Sequence, residues 1–252
     1  MNKILAKKTI IVMGVANQSS IAWGCTQSLM DQGATVILTY QNERIKRSLE
    51  RFVPEKISLM ECDVSKEKNI NSTFSEVKQK YGQIDGIIHA IAYATKNSLD
   101  GEFTEITQSD YELAQAVSAY SLIAITRAAR RVLKPNASIV TLTYYGSERV
   151  VPNYNMMGVA KASLEAIVRY LASSLGIEGA RINAISAGAV KTLAVTGIHD
   201  YGKLLETSKE NTVAGEPVTT DEIGDVAAFL LSDFSKGVTG DIIYVDKGAH
   251  LK

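Results

Sequence analysis

Four side chains between positions 144 and 161 can do proton chemistry: the phenols of Tyr144, Tyr145 and Tyr154 and the ammonium of Lys161. Tyr154 and Lys161 are seven residues apart. At about 100° per residue, seven steps fall about 20° short of two full helical turns. A helix beginning near Asn153 therefore puts both side chains on one face. The free groups titrate near ~10 for a phenol and ~10.4 for an amine. A cation close to a phenol favours the phenolate and strengthens the phenol as a donor. Such a pair suits the holding of a developing oxyanion and the delivery of a proton. The same spacing also fits a half-buried aromatic and a solvated lysine, so the rest of the chain has to decide.

Composition narrows the choice. The chain has 252 residues, 46% of them hydrophobic, and only four prolines, which suits one α/β domain with a large core. Lys plus Arg equals Asp plus Glu at 27 each, so charge gives no case for nucleic acid as the main partner. Two cysteines, Cys25 and Cys62, form no Cys-x-x-Cys, and His89, His199 and His250 lack ligand spacing. Neither a disulfide framework nor a metal site is expected. The apolar run near the N-terminus is too short for a signal or a spanning helix, which makes the cytoplasm the expected location.

The elements that position the phenols and the amine are read from periodicity. Apolar runs predict strands at Thr9–Met13, Thr35–Tyr40, Ile57–Glu61, Ile84–Ala90, Ser138–Thr143, Arg181–Ser186 and Asp241–Val245. Between them the patterns predict helices from Ser20 to Gly33, with Ser20 as a cap, and at Glu43–Phe52, Lys66–Tyr81, Asp110–Leu133, Tyr154–Leu175 and Thr220–Leu231. A long loop is expected over Tyr93–Ser109. Ala187–Val218 reads as irregular apart from a short helix near Asp200–Lys209. Strands alternate with helices and no linker divides them. The expected fold is one doubly wound, Rossmann-type α/β domain over residues 1–252 with a seven-stranded parallel sheet.

A strand, turn and helix at the start of such a sheet can hold a dinucleotide pyrophosphate on backbone N–H groups. The Gly-x-Gly-x-x-Gly pattern is absent. Gly14 and Gly24 frame the turn, with Ala16 and Ser20 between them, and a simple connecting loop explains this equally well. After the second strand, Gln41 and Asn42 are neutral where a basic residue would take a 2′-phosphate, which favours NADH over NADPH; Arg44, Lys46 and Arg47 follow one turn later. Asp63 and Val64 follow the third strand, where a carboxylate could meet an adenine amino group or cap the helix that starts near Ser65.

Four stretches carry a resemblance. They are Gly14-Val-Ala-Asn-Gln-Ser-Ser-Ile-Ala-Trp-Gly24, Cys62-Asp-Val64, Pro152-Asn-Tyr-Asn-Met-Met-Gly-Val-Ala-Lys-Ala-Ser-Leu-Glu165 and Asn183-Ala-Ile-Ser-Ala-Gly188. Together they resemble the bacterial NADH-dependent enoyl-acyl-carrier-protein reductases of the short-chain dehydrogenase superfamily, nearly end to end. The resemblance implies that Gly14, Ala16, Ser20 and Ile21 line the pyrophosphate turn, that Gln41 faces the adenine ribose, and that Asp63 and Val64 hold adenine. It implies that Ala90, Ile91 and Ala92 pass beside the cofactor, that Lys161 grips the nicotinamide ribose, and that Val190 and Thr192 contact the nicotinamide end. Tyr154 is expected to donate to a thioester carbonyl oxygen. Tyr144 is expected beside the substrate, with Tyr145 in the leucine place of the family's Tyr-Leu-Gly motif. Ala92, Tyr93, Ala189 and Tyr201 are expected to line the acyl pocket with Tyr144 and Tyr154, under a helical lid over about 188–210. The implied reaction is NADH-dependent reduction of a 2-enoyl thioester on acyl carrier protein, by a cytoplasmic homotetramer, in the last reductive step of fatty-acid elongation. An ordinary ketone reductase of the superfamily has Tyr-x3-Lys, whereas here Met157 stands four residues before Lys161.

The chain departs from the family pattern in places. After Gly188 it reads Ala189-Val190-Lys191-Thr192 where Pro-Ile-Arg-Thr is usual. The lid reads His199-Asp-Tyr-Gly-Lys203, and Thr212–Pro217 has no basic residue, so the usual basic docking surface for the carrier protein is thinned. The tail reads Val245-Asp-Lys-Gly-Ala-His250 where a second Gly and an aromatic are commoner. Two other readings are a reductase of the same fold acting on another activated alkene or carbonyl, and a non-enzymatic dinucleotide-binding regulator. The latter would need none of Tyr144, Tyr154 and Lys161.

Overall fold

The computed structural model describes residues 3–196 and 198–252. Seven strands form one parallel sheet: β1 (Thr9–Met13), β2 (Thr35–Tyr40), β3 (Ser58–Glu61), β4 (Ile84–His89), β5 (Leu133–Thr143), β6 (Arg181–Ala187) and β7 (Ile242–Val245). Their order is β3-β2-β1-β4-β5-β6-β7, with every neighbouring pair parallel. Winding reverses between β1 and β4, which opens a crevice at the carboxyl ends of those strands.

Helices cover both faces: α1 (Ile21–Asp31), α2 (Glu43–Leu49), α3 (Glu67–Tyr81), the short α4 (Lys96–Leu99), α5 (Gln108–Gln115), α6 (Ser121–Ala129), α7 (Asn155–Gly176), the short α8 (Leu193–Thr196), α9 (Tyr201–Asn211) and α10 (Thr220–Leu231). Alternate strand residues feed two cores, because successive side chains point to opposite faces. Ile11, Met13, Ile87, Ile139 and Ile182 pack with α3, α6 and α7 on one face. Ile10, Val12, Leu38, Ile88, Val140 and Ile185 pack with α1 and α10 on the other. Buried on both sides, β1 and β2 read as near-continuous apolar runs in the sequence.

The helix pair α1 and α10 fixes the crevice. Ser20 caps α1, accepting from the Trp23 N–H at 3.2 Å, and Thr219 with Glu222 forms a capping box on α10. A Cβ on Gly24 would lie 2.6 Å from Thr220, and one on Gly224 2.6 Å from the Ser28 hydroxyl. Gly24 thus serves close helix packing rather than the turn it was expected to frame.

Several boundaries differ from expectation. Helix α2 stops at Leu49, ahead of Phe52, in the turn that leads to Pro54. The single helix expected over Asp110–Leu133 is α5, a π-helical segment at Ala116–Tyr120, and α6, ending at Ala129. Strand β5 begins at Leu133 rather than Ser138, with a register shift opposite Ile84–Gly86 that accommodates Lys134-Pro-Asn136. The expected loop over Tyr93–Ser109 contains α4 and a 3-10 turn at Phe103–Glu105.

Candidate active site

Strand β5 ends on Leu142 and Thr143, and the chain then turns through a 3-10 segment at Tyr145–Ser147 before α7. This puts three consecutive residues of one strand end against the start of α7. Leu142 offers its carbonyl to the Lys161 ammonium at 2.7 Å. The Thr143 hydroxyl donates to the Glu165 carboxylate at 2.5 Å. The Tyr144 ring meets the Tyr154 ring edge to face, centroids 5.1 Å apart at 70°. The contact depends on two glycines. A Cβ on Gly146 would sit 2.7 Å from the Tyr154 ring and 3.1 Å from the Tyr144 ring, and one on Gly158 would sit 2.7 Å from the Gly146 carbonyl oxygen.

Tyr154 is the cap residue of α7 rather than its first helical residue, and it sits between Asn153 and Asn155, at φ of 62° and 31°. Asn tolerates the left-handed region better than most residues. The Asn153 side-chain amide donates to the His199 carbonyl at 3.0 Å, and that of Asn155 to the Gly101 carbonyl at 3.1 Å. The two loops flanking the site are thereby tied to either side of the phenol.

Burial sets the protonation states. Tyr144, Tyr154 and Lys161 are all buried. Burial, seconded by the nearby charge of Glu165, drives the Tyr154 phenol well above the usual phenol range. Tyr154 is thus held neutral, and Lys161 is not among the groups that shift it. Burial also pulls the Lys161 ammonium down to about 8, with the Glu165 charge opposing the fall. Burial, then the neighbouring Tyr145, raises Tyr144 far above its ordinary value, and its buried hydroxyl meets no hydrogen-bond partner within bonding geometry among the described residues.

Around these groups lies a third apolar cluster, separate from the two sheet cores. Tyr144, Tyr154, Met157, Ala160, Ala189 and Ile198 form it, with Tyr201, Leu204 and Leu205 of α9 and with Ala94 and Leu99 against it. The expected pocket residues Tyr144, Tyr154, Ala189 and Tyr201 are brought together here. Ala92 and Tyr93 are not part of this cluster. Both are exposed, and the backbone of Tyr93 is clamped by Ser118, whose hydroxyl accepts from its N–H and donates to its carbonyl, each at 2.9 Å. Ser118 belongs to the π-helical segment, a feature frequent at functional sites. The same segment leads into Ser121, whose hydroxyl lies 2.8 Å from the His89 Nε2; the His89 Nδ1 lies 2.9 Å from the Thr141 hydroxyl. Burial, then Lys161, pushes His89 down to about 3, so the ring is neutral.

The crevice beside this cluster fits a dinucleotide. A Cβ on Gly14, at φ of 97°, would lie 2.0 Å from the Ala90 carbonyl oxygen, so only glycine lets β1 turn against the end of β4. The Ser20 side chain is spent on the cap and on the Asn17 carbonyl, while the N–H groups of Ile21 and Ala22 meet no acceptor among the described residues. Ile91 follows Ala90 and is half-buried, and Ala16 and Val64 are also half-buried. Gln41 is exposed past the end of β2, with Asn42 beside it serving as the α2 cap. Burial would raise the Asp63 carboxyl, but hydrogen bonds from Ser65 and Lys66 bring it below the usual carboxylate range. Its carboxylate caps Ser65, one of the two roles considered for it, although α3 itself starts at Glu67. Val190 is half-buried, and the buried Thr192 caps α8 through the Val195 N–H at 3.3 Å. No group of metal-ligating side chains occurs among the described residues.

The family model described as enoyl-(acyl carrier protein) reductase matches residues 14–250. The chain belongs to the enoyl-(acyl carrier protein) reductase family. It is 54% identical over 247 residues to the Enterococcus faecalis enoyl-[acyl-carrier-protein] reductase [NADH] FabI, covering 98% of this chain and 99% of that one. It is 42% identical to the Escherichia coli enzyme of the same name, covering 97% and 94%. Among solved structures, the Bacillus cereus enoyl-acyl carrier protein reductase with NADP+ and indole naphthyridinone superposes with a TM-score of 0.96 at 45% identity, covering 99% of both chains. The Anaplasma phagocytophilum reductase in complex with NAD gives 0.95 at 38% identity, covering 100% of this chain and 97% of that one. The fold of the reductase family and the strand order found here therefore agree. No described helix is long and apolar enough to cross a membrane.

Sequence reading missed Gly146, Gly158, Ser118, Ser121 and Glu165 as parts of the site. The Gly146 and Gly158 signals lay in the Tyr-x-Gly and Met-Gly pairs, but only packing shows what the missing side chains avoid. The two serines sit in a segment that continues the helical pattern on both sides, so nothing local marked them.

Proposed function

We propose that this chain reduces the 2,3 double bond of trans-2-enoyl thioesters on acyl carrier protein with NADH, the last reductive step of bacterial fatty-acid chain elongation. The observation that carries this reading is the buried Tyr144 hydroxyl, without a hydrogen-bond partner among the described residues, packed against the neutral Tyr154 phenol, with the Lys161 ammonium held on the adjoining end of β5.

In this reading Gly14, Ala16, Ser20 and Ile21 take the pyrophosphate, Gln41 the adenine ribose, and Asp63 with Val64 the adenine. Ala90, Ile91 and Ala92 run alongside, Lys161 holds the nicotinamide ribose, and Val190 with Thr192 closes the nicotinamide end. Bound there, NADH supplies the hydride that reaches the β-carbon of the enoyl thioester. Tyr154 donates a hydrogen bond to the thioester oxygen as enolate charge builds, and the Lys161 ammonium adds positive potential. Tyr144 orients the same oxygen and walls the acyl chain, with Ala92, Tyr93, Ala189 and Tyr201. The segment 188–210 is the lid, and residues 1–252 act as one domain. We read the chain as a homo-oligomer, a tetramer, working in the cytoplasm; the open, mostly apolar groove of Ile123, Ala166, Ile167, Tyr170 and Leu171, with Ser163 and Ser174, offers a surface for a second copy.

The test is loss of reduced-nicotinamide absorbance with a 2-enoyl thioester on carrier protein and on coenzyme A, with NADH and NADPH in parallel. Turnover with NADH supports the reading. NADH binding without turnover on either thioester defeats it and favours a dinucleotide-binding regulator.

A further inference from the structure

Helix α7 carries a buried acid that the mechanism above does not use. Glu165 follows Lys161 by four residues, so both point from one face of the helix toward the sheet. Each is only 6% exposed. They do not hydrogen-bond to each other. Lys161 donates to the Leu142 carbonyl and Glu165 accepts from the Thr143 hydroxyl, adjacent residues of β5. Beneath Glu165, Thr143, Ser186 and Tyr244 share one register row across β5, β6 and β7.

We propose that Glu165 is a positioning residue of this site: anchored by the Thr143 hydroxyl one turn beyond Lys161, its carboxylate is the counter-charge that keeps the buried ammonium protonated in its place on Leu142. A buried ammonium with one carbonyl partner is costly, and so is a buried carboxylate with one hydroxyl partner. Each offsets the other across one helical turn.

The remaining groups facing the pair do not supply that charge. Tyr154 on α7 and Tyr144 after β5 are neutral phenols, and His89 on β4 is a neutral imidazole. Tyr244 on β7, raised to about 12 first by burial and then by Glu148, is neutral as well; Asp246 beyond β7 is paired with His250. Among the charged residues on the other elements packed against α7, Glu112 of α5 accepts from Gln108, Lys134 of β5 holds Asp85, and Lys96 of α4 is an exposed cation that supplies no negative charge. Asp110 of α5 holds Thr95 and Thr107, Arg127 of α6 holds Glu67, and Arg181 of β6 holds carbonyls of residues 230–238.

The proposal deepens the reductase reading, and its test stands apart from it. Competitive acetylation of the whole apo-protein with trace acetic anhydride across pH, followed at the Lys161 peptide by mass spectrometry, reports the protonation midpoint of Lys161 with neither cofactor nor substrate. The pH dependence of NADH fluorescence on binding is the second readout. Removing a nearby negative charge makes the ammonium easier to deprotonate. Glu165→Gln, which keeps an acceptor for Thr143, is therefore expected to move the midpoint from near 8 toward acid by about one pH unit, and the alkaline loss of NADH binding with it. Glu165→Asp, which keeps the charge, returns both toward wild type. If Glu165→Gln does not fold, Thr143→Val, which strips the carboxylate of its anchor, moves the midpoint the same way by less. A midpoint unchanged in the variants that fold overturns the proposal. Wild-type protein that binds NADH but reduces no enoyl thioester defeats the reductase reading while leaving the Lys161 midpoint to judge Glu165.

Discussion

The side-chain amide of Asn153 donates to the backbone carbonyl of His199 across 3.0 Å, tying the residue before Tyr154 to the middle of the proposed lid. One hydrogen bond of this kind contributes about 1 kcal/mol net. Asn153→Ala is therefore expected to speed amide hydrogen exchange over residues 198–211 by roughly five- to tenfold, with little change near Gly101. Asn155→Ala should do the reverse, loosening the segment around Gly101 and sparing the lid. Equal exchange changes in both segments for either variant would contradict separate tethers.

Gly146 is expected to tolerate no side chain. The Cβ of Gly146→Ala would enter the Tyr154 ring at 2.7 Å, which costs about 1–3 kcal/mol by overpacking. Thermal unfolding should register that loss, and displacement of the phenol should lower kcat by roughly 10–100-fold. A variant with wild-type melting and turnover would show that the ring contact does not matter.

Tyr154→Phe removes the proton donor and leaves the crevice intact. Loss of a positioned general acid is expected to lower kcat by about 10²–10⁴-fold, while NADH binding, read by fluorescence, stays near wild type. Lys161→Ala should impair both, since the ammonium is proposed to hold the nicotinamide ribose. NADH affinity unchanged in Lys161→Ala would remove that role.

His89 predicts a pH effect on stability. Its folded value is depressed to about 3, whereas an unfolded His titrates near ~6.5. Below about 6.5 the unfolded chain binds the extra proton, so His89 stabilises the fold at neutral pH and that contribution is lost as pH falls toward 3. The loss is on the order of 2–4 kcal/mol. Denaturant titrations of His89→Gln should show a shallower fall in stability between pH 6.5 and 4 than wild type, whatever the variant's stability at neutral pH. Parallel profiles would mean that His89 is not the group responsible.

Much of this site was legible in the sequence, for identifiable reasons. Strand β1 is covered on both faces and reads as a near-continuous apolar run, while β4 keeps a central Ile pair and β6 alternating Ile and Ala among polar residues. Tyr154 caps α7 and Lys161 lies within it, so spacing along one helix sets the direction of both. The sign of the electrostatics was not legible. Spacing suggested a cation acting on a phenol, but burial dominates both groups and the charge that shifts each is that of Glu165. The break of the helix into α5, a π-helical segment and α6 was hidden because Ala-Val-Ser-Ala-Tyr fits helical periodicity; its cause is tertiary, in the Ser118 clamp on Tyr93. The early start of β5 was hidden by Pro135, which sits in the register shift.

The most direct measurement follows the hydride. The chain is given a 2-enoyl thioester on carrier protein and NADH carrying deuterium at the transferable position, and the acyl product is analysed by mass spectrometry. The account predicts a saturated product with deuterium on the β-carbon and, in deuterated water with unlabelled NADH, deuterium on the α-carbon instead. Deuterium on a former carbonyl carbon, or a saturated product without cofactor-derived label, would contradict it.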